Sequence, residues 1–379
     1  MSYSLSIPIT SKSVATGALL VPLLGCTQAM RQGAVDGSST HASRTTFAST
    51  GAFISTVASG ARGLFESQTV SLALDRIDQH DLPLDRTYRR NGTGRGVTVY
   101  VFDGGVLSTH PELIGRVRKG HDAFPSDPKV CNAHGTAVAG AAAGKTLGVA
   151  PDAEIVDIKM VECGKLRGTI KAIVDGTSWV IADHKRHGGH AAVANWSFIA
   201  DTASHIPQLD SAVSQLRAEG IPVVVSAGNV EVNACRVSPG NAEGAIVVGA
   251  SAIIRESKDS KVVDRRASNT AYGPCIDLYA PGDSVLLPSF DAALTPSVQL
   301  WNGTSMSAGY VSGAVALFLE SHPQANPDEA IGYLRKNATR NVVENSYAPL
   351  SWLLYVGPVR ESLLSVAEIR EQQQVARRH

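Results

Sequence analysis

The chain has 379 residues, 44% apolar and 18% charged, with 34 Lys plus Arg balancing 34 Asp plus Glu. That composition supports one large core or two modest ones and excludes wholesale disorder. Zero formal charge leaves no basic excess for a nucleic-acid partner, and no run of eighteen apolar residues is present to span a membrane.

The N-terminus has Lys12, a short apolar run from Val14 to Gly25, and then Cys26. A basic residue before a short apolar stretch reads as an export signal rather than structure. Leu23-Leu24-Gly25-Cys26 resembles a bacterial lipobox, which implies lipid on Cys26, a membrane anchor there and a lipoprotein-type signal peptide over residues 1–25. The same residues also fit ordinary secretion or a buried N-terminal segment. The expected location is therefore the bacterial cell envelope or the medium. If Cys26 carries lipid, the remaining cysteines, 131, 163, 235 and 275, can form two disulfides in the oxidising compartment that export supplies. Free thiols in a cytoplasmic enzyme are the alternative. Residues 26–70, rich in Ser, Thr, Ala and Gly, read as a linker or short pro-segment.

From Leu72 onward, β-type apolar runs alternate with helical patterns, the mark of an α/β domain with a parallel sheet. Strands are expected over 96–102, 153–160, 191–198, 221–227 and 244–250. Their near-continuous apolar character suits strands buried on both faces. Helices are expected over 134–144, 168–187, 207–219 and 305–320. The domain runs over 71–357, and residues 358–379 form a charged tail.

Four short stretches could carry chemistry. "VTVYVF" ends in Asp103, placing a carboxylate at the carboxyl end of a strand, although Asp-Gly is also a common turn. His134 opens a helix of small residues, where it is a base or only a capping histidine. Asn229 follows the strand "VVVSAG" and either donates its amide to a developing oxyanion or forms a turn. In "NGTSMSAGYVSG", Ser305 begins a helix, whose dipole and free N–H groups favour an attacking alkoxide. Ser307 reads as a packing residue. Histidines 184, 187 and 190 have spacing that could bind metal but fit a solvated helix end better.

Taken together, "VYVFDGGV", "HGTAVAG", "SAGN" and "GTSMS", in that order, resemble the subtilisin-like serine peptidases (subtilases), above all the proteinase K and aqualysin branch. The resemblance covers residues 72–357 and implies a three-layer α/β/α subtilisin-like fold with a mainly parallel central sheet. It implies an exported serine endopeptidase acting on proteins or peptides through an acyl-enzyme. Asp103, His134 and Ser305 would be catalytic, and Asn229 with the Ser305 N–H would form the oxyanion hole. Gly164, Gly168, Ser197, Phe198, Ile199, Ala200, Ala227 and Gly228 would line the substrate cleft, binding the peptide as an added strand. The resemblance also implies disulfides Cys131–Cys163 and Cys235–Cys275, a monomer, and no cofactor or metal for catalysis.

Several positions depart from the family pattern. Gly104 stands where Thr or Ser is usual, removing a hydroxyl that could support the Asp103 carboxylate and predicting looser His134 orientation and reduced activity. Ala137 replaces a second histidine, with little expected effect. Phe198-Ile199-Ala200 replaces Leu-Gly-Gly, and side chains in place of glycines are expected either to narrow the pocket for the residue on the acyl side of the scissile bond (P1) or to alter backbone approach, leaving P1 preference open. Gly309 replaces a proline and is expected to loosen the first turns of its helix. Ala252 replaces an aspartate that ligates structural calcium, so that site is expected to be lost, with structural calcium at other sites left open. Residues 27–70 are too short and too Ser/Thr-rich to resemble the family's inhibitory propeptide. These departures leave a second reading, a catalytically weak or inactive subtilase fold serving as a surface binding or scaffold protein.

Overall fold

The computed structural model describes residues 4–6, 64–69, 71–200, 205–256 and 261–358. All of the expected signal peptide except residues 4–6, the lipobox and Cys26, most of the 26–70 linker and nearly all of the C-terminal tail lie outside these residues. In chain order, β1 (Ser4–Ser6) and β2 (Leu64–Gln68) precede α1 (Leu72–Ile77), β3 (Thr87–Asn91), β4 (Thr98–Asp103) and β5 (Val117–Asp122). Next come α2 (His134–Ala143), β6 (Glu154–Lys159), β7 (Val161–Glu162), β8 (Arg167–Thr169) and α3 (Ile170–Arg186). Then follow β9 (Ala192–Trp196), β10 (Ile199–Ala200), α4 (Pro207–Ala218), β11 (Val223–Ser226), β12 (Ile246–Arg255) and β13 (Val262–Arg266). The last elements are β14 (Leu278–Pro281), β15 (Val285–Phe290), β16 (Pro296–Trp301), α5 (Thr304–Ser321), α6 (Pro327–Asn337) and β17 (Val343–Glu344).

The nine-stranded central sheet runs β17-β13-β12-β11-β9-β4-β6-β5, with β14 also on β12. All its pairings are parallel except β12 with β13. Strand β4 shows why these segments read as continuous apolar runs. Val99 and Val101 face one core, with α2 and α5, while Tyr100 and Phe102 face another, with α3 and α4. Both faces are dry, so alternation is lost. The result is the expected α/β/α arrangement.

The helices differ in the cover they give. Every residue of α2 is buried, and α5 is buried from Thr304 to Leu319, which requires the small residues both carry. Helix α3 is amphipathic and begins on a Thr169 side-chain cap to the Ala172 N–H (3.1 Å). Helix α6 escapes the apolar-period reading, yet its start was legible. Asn326 and Glu329 form a reciprocal capping box, with Pro327 in the first turn. Strand β5 and the β15–β16 hairpin were also not foreseen. The former is only half-buried, and the latter has a largely exposed second strand.

Both disulfides implied by the resemblance are present, Cys131–Cys163 and Cys235–Cys275, with Cα–Cα separations of 4.7 and 5.2 Å. They close loops spanning 32 and 40 positions, for which the chain-entropy model gives roughly 3–4 kcal/mol each. Arg76, almost wholly buried, makes a forked ion pair with Asp264 (2.8–2.9 Å) and ties α1 to β13.

Candidate active site

Asp103 ends β4 beside the N-terminus of α2, and His134 is the first residue of that helix. Neighbouring β4 and β6 run parallel, so this carboxyl end of the sheet gathers strand tips and helix starts together. His134 Nδ1 lies 2.8 Å from Asp103 Oδ2, and both side chains are almost fully buried. With the carboxylate accepting, Nδ1 carries the proton and Nε2 keeps its lone pair. The other carboxylate oxygen, Oδ1, accepts the Gly104 N–H at 2.7 Å. Where the hydroxyl is absent at Gly104, the carboxylate thus has a backbone donor. The edge of Trp301 also sits against the imidazole, ring centroids 6.4 Å apart. Ala137 is buried inside α2 and away from solvent.

Ser305 lies in the first turn of α5, where backbone N–H groups have no partner within the helix. Its Oγ donates to the Ser197 carbonyl (3.3 Å). Among the described residues no hydrogen bond joins it to the imidazole, as is common before substrate arrives. The Ser305 backbone is pinned by a buried network. Ser197 Oγ donates to the Ser305 carbonyl (3.0 Å), Asn195 Nδ2 donates to Ser197 Oγ (2.8 Å), and Ser312 Oγ donates to Asn195 Oδ1 (2.9 Å). The positioning residues Asn195 and Ser312 were not singled out by sequence reasoning. Their polarity inside β9 and α5, both otherwise apolar, was the available signal.

Asn229 follows β11 and faces the start of α5. Its Oδ1 accepts two hydrogen bonds from Thr304, the N–H at 2.8 Å and Oγ1 at 2.9 Å. Two donors on one oxygen settle which way the amide points and put Nδ2 on the side of the Gly303 backbone. Thr304 Oγ1 also accepts the Gly228 N–H (3.1 Å), coupling both sides of the cleft. The cap residue Gly303 has φ +139°, and a Cβ there would lie 2.8 Å from Asn229 Nδ2. Only glycine fits without displacing that amide. Ser307 Oγ instead donates to the Ala280 and Pro281 carbonyls (3.0 and 3.2 Å), a packing role in keeping with its reading as a small helix residue.

The expected cleft residues divide. Gly168 is in β8 and Ile199 and Ala200 are β10, and these two strands flank β1 in a small sheet ordered β10-β1-β8-β7. Gly164 is exposed in the turn between β7 and β8, with no ladder role. Phe198, at the family's Leu position, stacks on Trp196 in the core (5.4 Å). Ile199 packs against Gly228, where a Cβ would meet its Cδ1 and Cγ2 at 3.1 Å.

Two other expectations change. Gly309 faces α2 so closely that a Cβ would come within 2.8 Å of Ala141 Cβ and of the Val138 carbonyl. The glycine is the condition for that helix contact rather than a source of looseness. The histidines near the end of α3 are engaged. His184 Nε2 meets the His190 carbonyl, His187 Nδ1 the Asp183 carbonyl and His190 Nε2 the Thr98 hydroxyl, each at 2.8 Å. His184 is buried, so this helix end is less solvated than its composition suggested. Ala252 is buried in β12 with no side-chain oxygen, and no group of three His, Cys, Asp or Glu side chains able to hold a metal occurs among the described residues.

A parallel sheet with a buried Asp–His pair, a helix-starting serine and an oriented amide at its carboxyl edge is the architecture of a serine-peptidase class. Residues 94–351 match the Subtilase family, and the chain belongs to that family. It is 38% identical over 286 residues to the "Extracellular serine proteinase" of Thermus sp., covering 74% of this chain and 65% of that relative. It is 32% identical over 284 residues to "Alkaline serine exoprotease A" of Vibrio alginolyticus, covering 74% and 49%. The chain therefore spans about half to two thirds of the length of these curated relatives. A crystal structure of a cold adapted subtilisin-like serine proteinase superposes with TM-score 0.66 at 34% identity, covering 76% of this chain and 98% of that one.

Proposed function

We propose that this chain is an exported serine endopeptidase that hydrolyses peptide bonds in proteins. The observation that carries the reading is the buried 2.8 Å His134–Asp103 contact beside Ser305 and the Thr304-oriented amide of Asn229. Ser305 Oγ attacks the scissile carbonyl while His134 Nε2 takes its proton, and Asp103 stabilises the imidazolium. The oxyanion is held by Asn229 Nδ2 and the Ser305 N–H. Collapse gives the acyl-enzyme and returns the proton from His134 to the leaving amine. Water then repeats the sequence and frees the acid.

Ile199 over Gly228 favours small residues at P1. Export, by a lipoprotein-type or ordinary signal over residues 1–25, is in keeping with the two disulfides and with a relative named extracellular. No cofactor is needed for this chemistry. A fluorophosphonate probe tests the reading. Labelling should disappear in Ser305→Ala and survive in Ser307→Ala. No labelling of folded wild type, with no casein cleavage, leaves the weak or inactive scaffold as the answer.

A further inference from the structure

The edge strand β5 carries a second cluster of titratable groups, outside the active site. Its pairing with β6 shifts register between Lys119 and Asp122, so Lys119 lies opposite Asp157 while Asp122 lies opposite Lys159. In a regular strand residues three apart face opposite sides, and the irregularity brings both onto one wall. That wall, the chain after β4 at Val106, and Lys129 enclose a cavity of about 190 Å³. Lys159 is almost wholly buried, donates to the Phe124 carbonyl (3.2 Å) and lies 3.7 Å from Asp122 Oδ1. Lys119 lies 3.5 Å from Asp122 Oδ2, and Asp122 Oδ1 also accepts the Phe124 N–H (3.0 Å). Asp122 is thus held by three donors. Lys129, in contrast, is exposed and has no ion pair among the described residues. Asp157 Oδ1 and His121 Nε2, on side chains that line the same cavity, are buried with no hydrogen-bond partner among the described residues. Such atoms are rare in folded proteins and call for an explanation.

We propose that this cavity is a binding site for a small tetrahedral oxyanion of the sulfate or phosphate class, held by Lys119, Lys129 and Lys159 with the Asp157 carboxyl and the His121 imidazole as further donors. Its charge selects an anion. Three lysines face Asp122, which is already neutralised, and Asp157. Burial pushes the Asp157 carboxyl up to about 7; the Val106 N–H opposes the rise, the charges of Asp103 and Asp122 add to it, and Lys119 opposes it. Below that pH the carboxyl is neutral and its O–H can donate. Above it the carboxylate repels an anion and the donor is gone. The lysines also select the shape. Ammonium groups meet an oxyanion as point charges from several directions, whereas a planar carboxylate is matched by the fork of arginine, and no arginine lines the cavity. The site is independent of the peptidase chemistry and needs none of its residues.

The test uses the full 379-residue chain and radiolabelled sulfate in equilibrium dialysis, with chloride holding the ionic strength constant so that general screening does not vary. Sulfate keeps both charges near neutral pH, so any pH dependence belongs to the protein. A carboxyl titrating at about 7 is about tenfold more protonated at about pH 6 than at about pH 8, and wild-type affinity should fall at least about tenfold between them. Asp157→Asn keeps the shape without the charge. It should match wild type within about twofold at about pH 6 and bind at least about fivefold more tightly at about pH 8. Lys129→Gln, at an exposed position, should weaken binding at least about fivefold at both pH values. Thermal melts confirm that each variant is folded. The site is overturned if folded wild type binds no sulfate at about pH 6, if Asp157→Asn equals wild type at about pH 8, or if Lys129→Gln has no effect.

Discussion

Replacing Asn229 with alanine separates transition-state stabilisation from binding. The side chain holds two donors from Thr304 on Oδ1, which leaves Nδ2 to serve as the donor the proposed mechanism assigns to the oxyanion. Losing one oxyanion donor typically lowers kcat by about 10²–10³, or roughly 2.7–4 kcal/mol. KM should stay within about threefold, because the ground-state carbonyl does not yet need that bond. The variant also strips Thr304 of an acceptor, so stability should fall by about 1–2 kcal/mol. Thr304→Val, which keeps the amide but removes one of its anchors, should lower kcat less, by about tenfold. Steady-state kinetics on a chromogenic peptide, with thermal melts on the same samples, measure all of these. The reasoning is refuted if folded Asn229→Ala keeps kcat within fivefold of wild type, or if the loss falls wholly on KM.

Ile199→Gly should open the pocket over Gly228 and raise kcat/KM for P1 Phe relative to P1 Ala by at least tenfold; an unchanged ratio would remove Ile199 from specificity. Gly309→Ala gains about 1 kcal/mol of helix propensity but meets Ala141 and Val138 at 2.8 Å. Overpacking of about 1–3 kcal/mol should leave it less stable in urea titrations, and a stabilised variant would disprove the close contact. Burial pushes the Asp157 carboxyl up to about 7, with the nearby Asp103 charge adding to the rise and the Val106 N–H opposing it. A raised carboxyl binds protons better folded than unfolded, so stability falls as pH climbs from about 4 to about 7. Asp157→Asn should therefore raise the melting temperature at about pH 8, with the gain vanishing below about pH 4; a gain independent of pH would exclude this origin. Cys235→Ser/Cys275→Ser should cost roughly 3–4 kcal/mol, read from the denaturant midpoint.

Asp103, His134, Asn229 and Ser305 were legible in the sequence because each sits where a strand ends or a helix begins, a junction marked locally by apolar runs and small residues. The five expected strands and four expected helices were legible for the same reason, since both faces of the sheet are dry and α2 and α5 must be built of small residues to pack. Helix α6 was legible in its capping residues but not in its apolar period. What depended on tertiary structure involves residues far apart in the chain. The link from Ser305 to Ser197 and Asn195, the His134 contact with Asp103, and Ile199 against Gly228 all follow from how the strands and helices are brought together. Gly309 changed meaning on the same ground, because only the approach of α2 shows what a side chain there would meet. The N-terminal residues 4–6 carry no local sign of a partner. Their pairing with β8 and β10 arises because the fold leaves two strand edges facing each other across one strand's width, and an extended segment is what satisfies both.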